Sequence, residues 1–223
     1  MSVYDVKQSS GAVHVSFKVP DSRYFNEAMR MKCFVDLLKF GAFPNAKELT
    51  ETMAAYNAVR KHIWGTQFRI DQGDVDVVVV GDGSTPRTGA VFAMMSRWRV
   101  FSIDPALKGR ELGWESKVKR LSVIGCNIEE AQPIKLQENV ILVAVHSHAN
   151  MANSIDWVRR SHRISGLDDG SIAVVAMPCC TNLEVKGRRP NWDYQDWGCW
   201  SPKRRVMVYL GVETGTRLID TEN

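Results

Sequence analysis

Four consecutive valines, Val77 to Val80, run into a glycine turn at Gly81, and a second apolar run, Val100 to Ile103, ends on an aspartate, Asp104. A strand without polar alternation is covered on both faces, as parallel strands between helices are. The short helical pattern between the two runs completes a βαβ unit, the start of an open α/β sheet with its ligand at the carboxyl ends of the strands. Gly81 and Gly83 let the backbone turn sharply and approach a ligand with no Cβ in the way. Asp104 follows Gly81 by 23 residues, near the roughly 20-residue spacing at which a carboxylate meets ribose hydroxyls. An adenosine-type cofactor is the expectation.

The rest of the chain extends this pattern. Strands are predicted near 76–80, 99–103, 119–125, 139–146, 171–177 and 204–211, with helices near 86–96 and 151–163. Ahead of them, Val13, Val15, Phe17 and Val19 alternate as in an edge strand or arm. Asp21 or Ser22 caps a helix that runs to about Phe40 and stops at Gly41, and Asn45 caps another to about Trp64. Residues 1–70 therefore read as an arm and helical extension packed on a core at 71–223. Residues 181–203, rich in Asn, Pro, Gly and Trp, read as a long loop.

The chain of 223 residues, 44% apolar and 24% charged, has an ordinary globular composition. Nothing in it approaches 18 consecutive apolar residues, and Met1-Ser-Val-Tyr-Asp5 lacks the basic and apolar regions of a signal peptide. Five cysteines, two of them adjacent, make no disulfide ladder. The expected setting is a reducing cytoplasm, with no membrane partner.

The loop Gly81-Asp82-Gly83-Ser84-Thr85-Pro86-Arg87-Thr88-Gly89 lacks the Gly-Lys-Ser/Thr ending of a nucleotide P-loop. Pro86 stands where a dinucleotide fold has its third glycine, which argues against a nicotinamide oxidoreductase. S-adenosylmethionine fits better, because it has no pyrophosphate to cradle. Gly81, Asp82, Gly83 and Thr85 would then surround the methionine part while Asp104 takes the ribose. Asp82 either contacts the amino group or stabilises the turn. Asn127 either meets the adenine edge or serves as a turn residue.

These residues resemble the Rossmann-like class I SAM-dependent methyltransferases over about residues 70–211, through the Gly81-Asp82-Gly83 loop and the acid at Asp104. A finer likeness lies in Val143-Ala-Val-His146-Ser-His148-Ala-Asn150 and Val174-Val-Ala-Met-Pro178-Cys179-Cys180. It is similar to the branch holding certain tRNA ribose methyltransferases, which carry a histidine turn after strand four and Cys-Cys after strand five. The resemblance implies methyl transfer from S-adenosylmethionine. The turn here reads His146-Ser147-His148-Ala149 where that branch has His-x-Cys-Gly. That departure keeps open a catalytically silent binding or scaffold protein on the same fold.

In such a sheet the ends of strands four and five flank the crevice, placing His146, His148, Asn150, Cys179 and Cys180 near the transferred methyl. Histidine suits the removal of an acceptor proton, so His146 and His148 are the candidate catalytic pair. Cys179 and Cys180 line the pocket, act as a nucleophile, or join the histidines as metal ligands. Adjacent cysteines lack the usual C-x(2–4)-C spacing, so no metal is expected. Trp192, Tyr194, Trp197 and Trp200 lie among Lys186, Arg188, Arg189 and Arg204, either as a packed aromatic cover or as a surface that stacks bases and holds phosphates. RNA is the expected substrate class, with Arg188, Arg189 and Trp197 on the substrate side.

Overall fold

The computed structural model describes residues 4–9, 11–17, 22–68, 73–167, 170–180 and 183–212. Strands β1 (Tyr4–Ser9) and β2 (Ala12–Phe17) form an antiparallel hairpin of their own. The alternating arm is thus a strand up to Phe17 that pairs with β1 in a two-stranded sheet apart from the main one. Its end, 18–20, lies outside the described residues.

The predicted first helix is two helices, α1 (Arg23–Met29) and α2 (Phe34–Lys39). Ser22 caps α1 by accepting from the Tyr24 N–H. Tight turns closed by Met31 N–H to Ala28 C=O and Phe34 N–H to Met31 C=O separate the pair and redirect the chain. Gly41, at φ +70°, ends the second. The helix α3 (Ala46–His62) starts where its cap predicts, with the Asn45 side chain accepting from the Glu48 N–H at 2.9 Å.

The core then alternates: β3 (Val75–Val80), α4 (Arg87–Met95), β4 (Arg99–Ile103), α5 (Glu111–Glu115), β5 (Leu121–Ile124), β6 (Asn139–Val145), α6 (Met151–Ile164), β7 (Ser171–Met177), β8 (Trp192–Gln195) and β9 (Arg205–Tyr209). The seven strands order as β5-β4-β3-β6-β7-β9-β8. The first five run parallel, and β9 is antiparallel to both β7 and β8. This is an α/β, Rossmann-like open sheet. The putting of β8 at its edge corrects the reading of 181–203 as loop throughout. Trp192 to Gln195 are mostly exposed, so no apolar alternation marks them.

Strand β3 shows why the valine run folds as it does. Val77 and Val79 enter a cluster with Tyr56 of α3 and Phe92 of α4, while Val78 and Val80 enter one with Ile155 and Trp157 of α6. Burying each valine contributes about 1.5–3 kcal/mol, so a strand of four holds both layers together. Helix α3 packs across β6, β7 and β9, and its first turns lie beside the carboxyl ends of the central strands.

Candidate active site

The chain order turns back between β3 and β6: from β3 it proceeds through β4 to β5 on one side, and from β6 to β7 on the other. Open sheets bind ligands at such a switch point. A cleft of about 510 Å³ occupies it. Gly81, Gly83, Asp104 and Asn127 line one flank, and His146 and His148 the other. Lys47, Glu48 and Glu51 of α3 close its side.

Gly81 is required by packing: at φ +76°, a Cβ there would stand 2.1 Å from Ser147 Oγ. The loops after β3 and β6 touch at this point. Gly83, at φ +80°, donates its N–H to Asp104 Oδ2 at 2.8 Å. The other oxygen of Asp104 accepts from the Ala106 N–H at 2.7 Å. Each carboxylate oxygen keeps a second lone pair, so Asp104 joins the glycine loop to β4 and can still accept from hydroxyls in the cleft.

Asp82 points the other way, and of its two readings the structure has the turn-stabilising one. Its carboxylate is buried and accepts from the Thr88 and Gly89 N–H groups at 3.0 and 2.9 Å and from Ser102 Oγ at 3.0 Å. It therefore holds the first turn of α4, and burial pushes its carboxyl above the ordinary range. Gly89 is packed against Ser102 and Leu121, with 3.2 and 3.1 Å left for a Cβ. That close helix–sheet approach is the role that a dinucleotide fold gives to its third glycine.

Other expected site residues are occupied elsewhere. Thr85 donates its hydroxyl to the Ala42 C=O at 2.9 Å, tying the loop to the α2–α3 connection. Asn150 caps α6, its Oδ1 accepting from the Ala152 N–H at 2.8 Å. Arg188 donates to the Gly211 C=O at 2.6 Å and to the Leu210 C=O, clamping the chain beyond β9. Arg189 is exposed and lies outside the lining of the cleft. Asn127 does line the cleft, with its amide 3.4 Å from Glu130 Oε1.

His146 sits just past β6 at φ +51°, a backbone region that non-glycine residues rarely enter. Its N–H donates to the Met177 C=O at 2.9 Å, which fixes the turn against β7. Its Nε2 approaches Glu51 Oε1 at 3.1 Å, but without an aligned hydrogen bond. Glu51 is 1% exposed, and its Oε1 also accepts from Lys47 Nζ at 2.9 Å. Burial pushes the Glu51 carboxyl up, but His146 and Lys47 outweigh that and hold it below its ordinary range. Arg87 Nε lies 3.2 Å from Glu48 Oε2 beside this pair. The cleft thus has a charged wall that sequence reading missed. Lys47 and Glu51 form an i,i+4 pair that reads as a solvated helix face, and only the docking of α3 turns it inward.

The cysteines meet the histidine turn after β6, with Cys179 Sγ 3.5 Å from the His146 C=O. Cys179 and Cys180 line a second groove of about 340 Å³, together with Lys203 and Arg204. Trp197, 75% exposed, lies beyond it with the Arg204 guanidinium 4.4 Å from its ring.

No protein-family model matches the sequence, and no curated protein matches it. Among solved structures, a point mutant of MtNAS in complex with S-adenosylmethionine is similar, with 14% identity, a TM-score of 0.48, and 84% of this chain and 70% of that chain covered. Burkholderia thailandensis 1,6-didemethyltoxoflavin-N1-methyltransferase has 14% identity and a TM-score of 0.40 over 86% of this chain and 74% of its own. A TehB-like SAM-dependent methyltransferase from Corynebacterium glutamicum has 12% identity and a TM-score of 0.42 over 84% and 96%. Among the described residues, no helix is long and apolar enough to cross a membrane.

Proposed function

We propose that the chain is a SAM-dependent methyltransferase and that its acceptor is RNA. The observation that carries this is the pairing, across one cleft at the sheet's switch point, of Asp104 on one flank with His146 and Glu51 on the other. The cleft, at about 510 Å³, is within the size range of small-molecule sites. Its residues fit the cofactor: Asp104 has free lone pairs for ribose hydroxyls, Asn127 on the cleft lining offers an amide to an adenine edge, and Gly81 and Gly83 bring backbone to the cleft. Arg87 and Lys47 offer positive charge to a carboxylate, and Glu48 offers negative charge to an amino group.

S-adenosylmethionine supplies an electrophilic methyl group when bound. The protein's part is to orient the acceptor in line and to remove its proton. His146 Nε2 is buried against Glu51, so Nδ1 is the ring nitrogen that would accept that proton. Glu51 would steady the ring and the charge it gains. His148 is exposed at the mouth of the cleft, on the acceptor's side. The groove with Lys203 and Arg204, and Trp197 beyond it, supplies the charge and aromatic surface that single-stranded RNA uses.

Titration calorimetry with S-adenosylmethionine, S-adenosylhomocysteine and NAD, followed by labelled-methyl transfer to total RNA, tests this. Saturable binding of the first two alone, with label entering RNA, is expected. Binding without transfer to RNA or protein would favour the silent scaffold, and preference for NAD would overturn the cofactor assignment.

A further inference from the structure

A ring nitrogen of His148 and the Sγ atoms of Cys179 and Cys180 all lie within 4.8 Å of one another. They come from two loops, after β6 and after β7, which neighbouring parallel strands hold in register up to the pair Val145 and Met177. The His146 N–H bond to the Met177 C=O carries that alignment past the strand ends. The three side chains are thus set by the sheet itself.

The geometry points to a thiophilic d10 cation site, zinc above all, held by His148, Cys179 and Cys180 and left with one open coordination position. Two thiolates and an imidazole are ligands that zinc takes, and they are too soft for magnesium or calcium. With Zn–S near 2.3 Å and Zn–N near 2.0 Å, tetrahedral ligand atoms stand about 3.4–3.8 Å apart. Closing from separations of at most 4.8 Å needs a contraction of up to about 1.4 Å, a side-chain rotation open to an exposed histidine and two half-buried cysteines. Coordination releases one proton from each thiol, so the two thiolates balance the dication. The Lys203 ammonium, donating to the Cys179 C=O at 2.8 Å, adds positive charge near the thiolates.

Cys-Cys fails the sequence rule for zinc because that rule describes ligands from one loop. Here the third ligand arrives from the neighbouring strand, and it is His148, since the His146 ring is turned to Glu51. His148 lines the cleft and the cysteines line the adjoining groove, so the open position lies where the two hollows meet. The ion would fasten the two loops and offer a Lewis-acidic position beside the acceptor path. The site stands on the three ligands and holds whether or not the methyl-transfer reading does.

The full chain, reduced and metal-free, is titrated with Co²⁺ as a spectroscopic stand-in and then with Zn²⁺. One equivalent of Co²⁺ should give a thiolate charge-transfer band that Zn²⁺ bleaches. Zn²⁺ should also raise the melting temperature. His148→Ala, at an exposed position, should weaken Co²⁺ binding by at least about 10-fold, and Cys180→Ser, which leaves one thiolate, should weaken the band by about half, while Cys126→Ser leaves metal affinity unchanged. Circular dichroism of each variant checks the fold. Absence of a band, an unchanged Co²⁺ affinity in His148→Ala, or a band that Cys180→Ser leaves at full strength overturns the site.

Discussion

His146 Nε2 stands 3.1 Å from Glu51 Oε1, so a helix outside the central sheet supplies the partner of a strand-end histidine. The relationship makes the N-terminal segment part of the cleft's chemistry. Helix α3 brings a buried carboxylate that Lys47 and His146 keep charged, and His146 holds a backbone conformation that aims its ring at it. A histidine so placed has both its orientation and its developing charge provided for.

Glu51→Gln keeps the shape of the side chain and removes its charge. Methyl transfer to RNA should fall by about 10- to 100-fold in kcat, part of the range that a proton-transferring group contributes. The KM for S-adenosylmethionine should stay within about twofold, since Glu51 would act on the acceptor step. Glu51→Asp should recover part of the rate. An unchanged kcat, or a change in KM alone, would remove Glu51 from the positioning of His146.

Asp104 carries the cofactor assignment. Asp104→Ala deletes acceptors for ribose hydroxyls and also frees the Gly83 and Ala106 N–H groups. Charged hydrogen bonds contribute about 1.5–3 kcal/mol each, so S-adenosylhomocysteine should bind roughly 10- to 100-fold more weakly by calorimetry. Asp104→Asn, which keeps one acceptor oxygen, should lose less. Equal affinity in all three proteins would move the cofactor away from β4.

Two acids flank the glycine loop, and their fates show what the sequence contains. The valine run and the spacing from Gly81 to Asp104 mark a βαβ unit, because burial on both faces and a turn with positive φ each leave a residue signature. Asp82 and Asp104 leave the same signature as each other. That one turns inward to cap α4 and the other faces the cleft depends on where α4 packs, through Gly89, against β4. Glu51 was illegible for a like reason: its partner lies 95 residues on, and an acid in an early helical turn ordinarily faces water. Strand β8 was illegible because an exposed edge strand has no buried face to imprint on its residues.

Asp82→Ala should act on stability. It removes the cap of α4 and leaves Ser102 and two buried N–H groups without their acceptor. Loss of a cap together with buried unpaired donors costs about 2–4 kcal/mol. For a chain of this size that corresponds to a melting temperature lower by roughly 4–16 °C. Thermal unfolding followed by circular dichroism measures it; a loss of less than a degree would mean that the cap contributes little.

His162 predicts a pH dependence. Its ring is fully buried, with Nε2 3.0 Å from the Gln137 C=O and Nδ1 without a partner. Burial holds it below the ordinary imidazole range, against the smaller opposing effect of the Gln137 carbonyl. Above about pH 6.5 both folded and unfolded chains carry it neutral, and it exerts no pH effect. As pH falls below that, the unfolded chain takes up a proton that the folded one resists, so stability drops. The urea midpoint should therefore decline between pH 7 and about 5, and His162→Gln, which cannot titrate, should flatten the decline. A slope identical in the two proteins would show that His162 is not its source.

Trp197 offers the sharpest test of the acceptor. It is 75% exposed and stacked by the Arg204 guanidinium, so Trp197→Ala removes no core contact. Stacking of a base on an aromatic ring is worth about 1–3 kcal/mol, so single-stranded RNA should bind about 5- to 100-fold more weakly. S-adenosylhomocysteine affinity and thermal stability should be unchanged. Arg204→Ala should lower the salt dependence of RNA binding by about one phosphate's worth. These two changes separate recognition from chemistry: a variant that binds cofactor normally but loses RNA places the acceptor path over the groove. If RNA affinity is equal for wild type and both variants, the aromatic and basic surface beside β8 serves packing alone, and the acceptor must enter the cleft from another side.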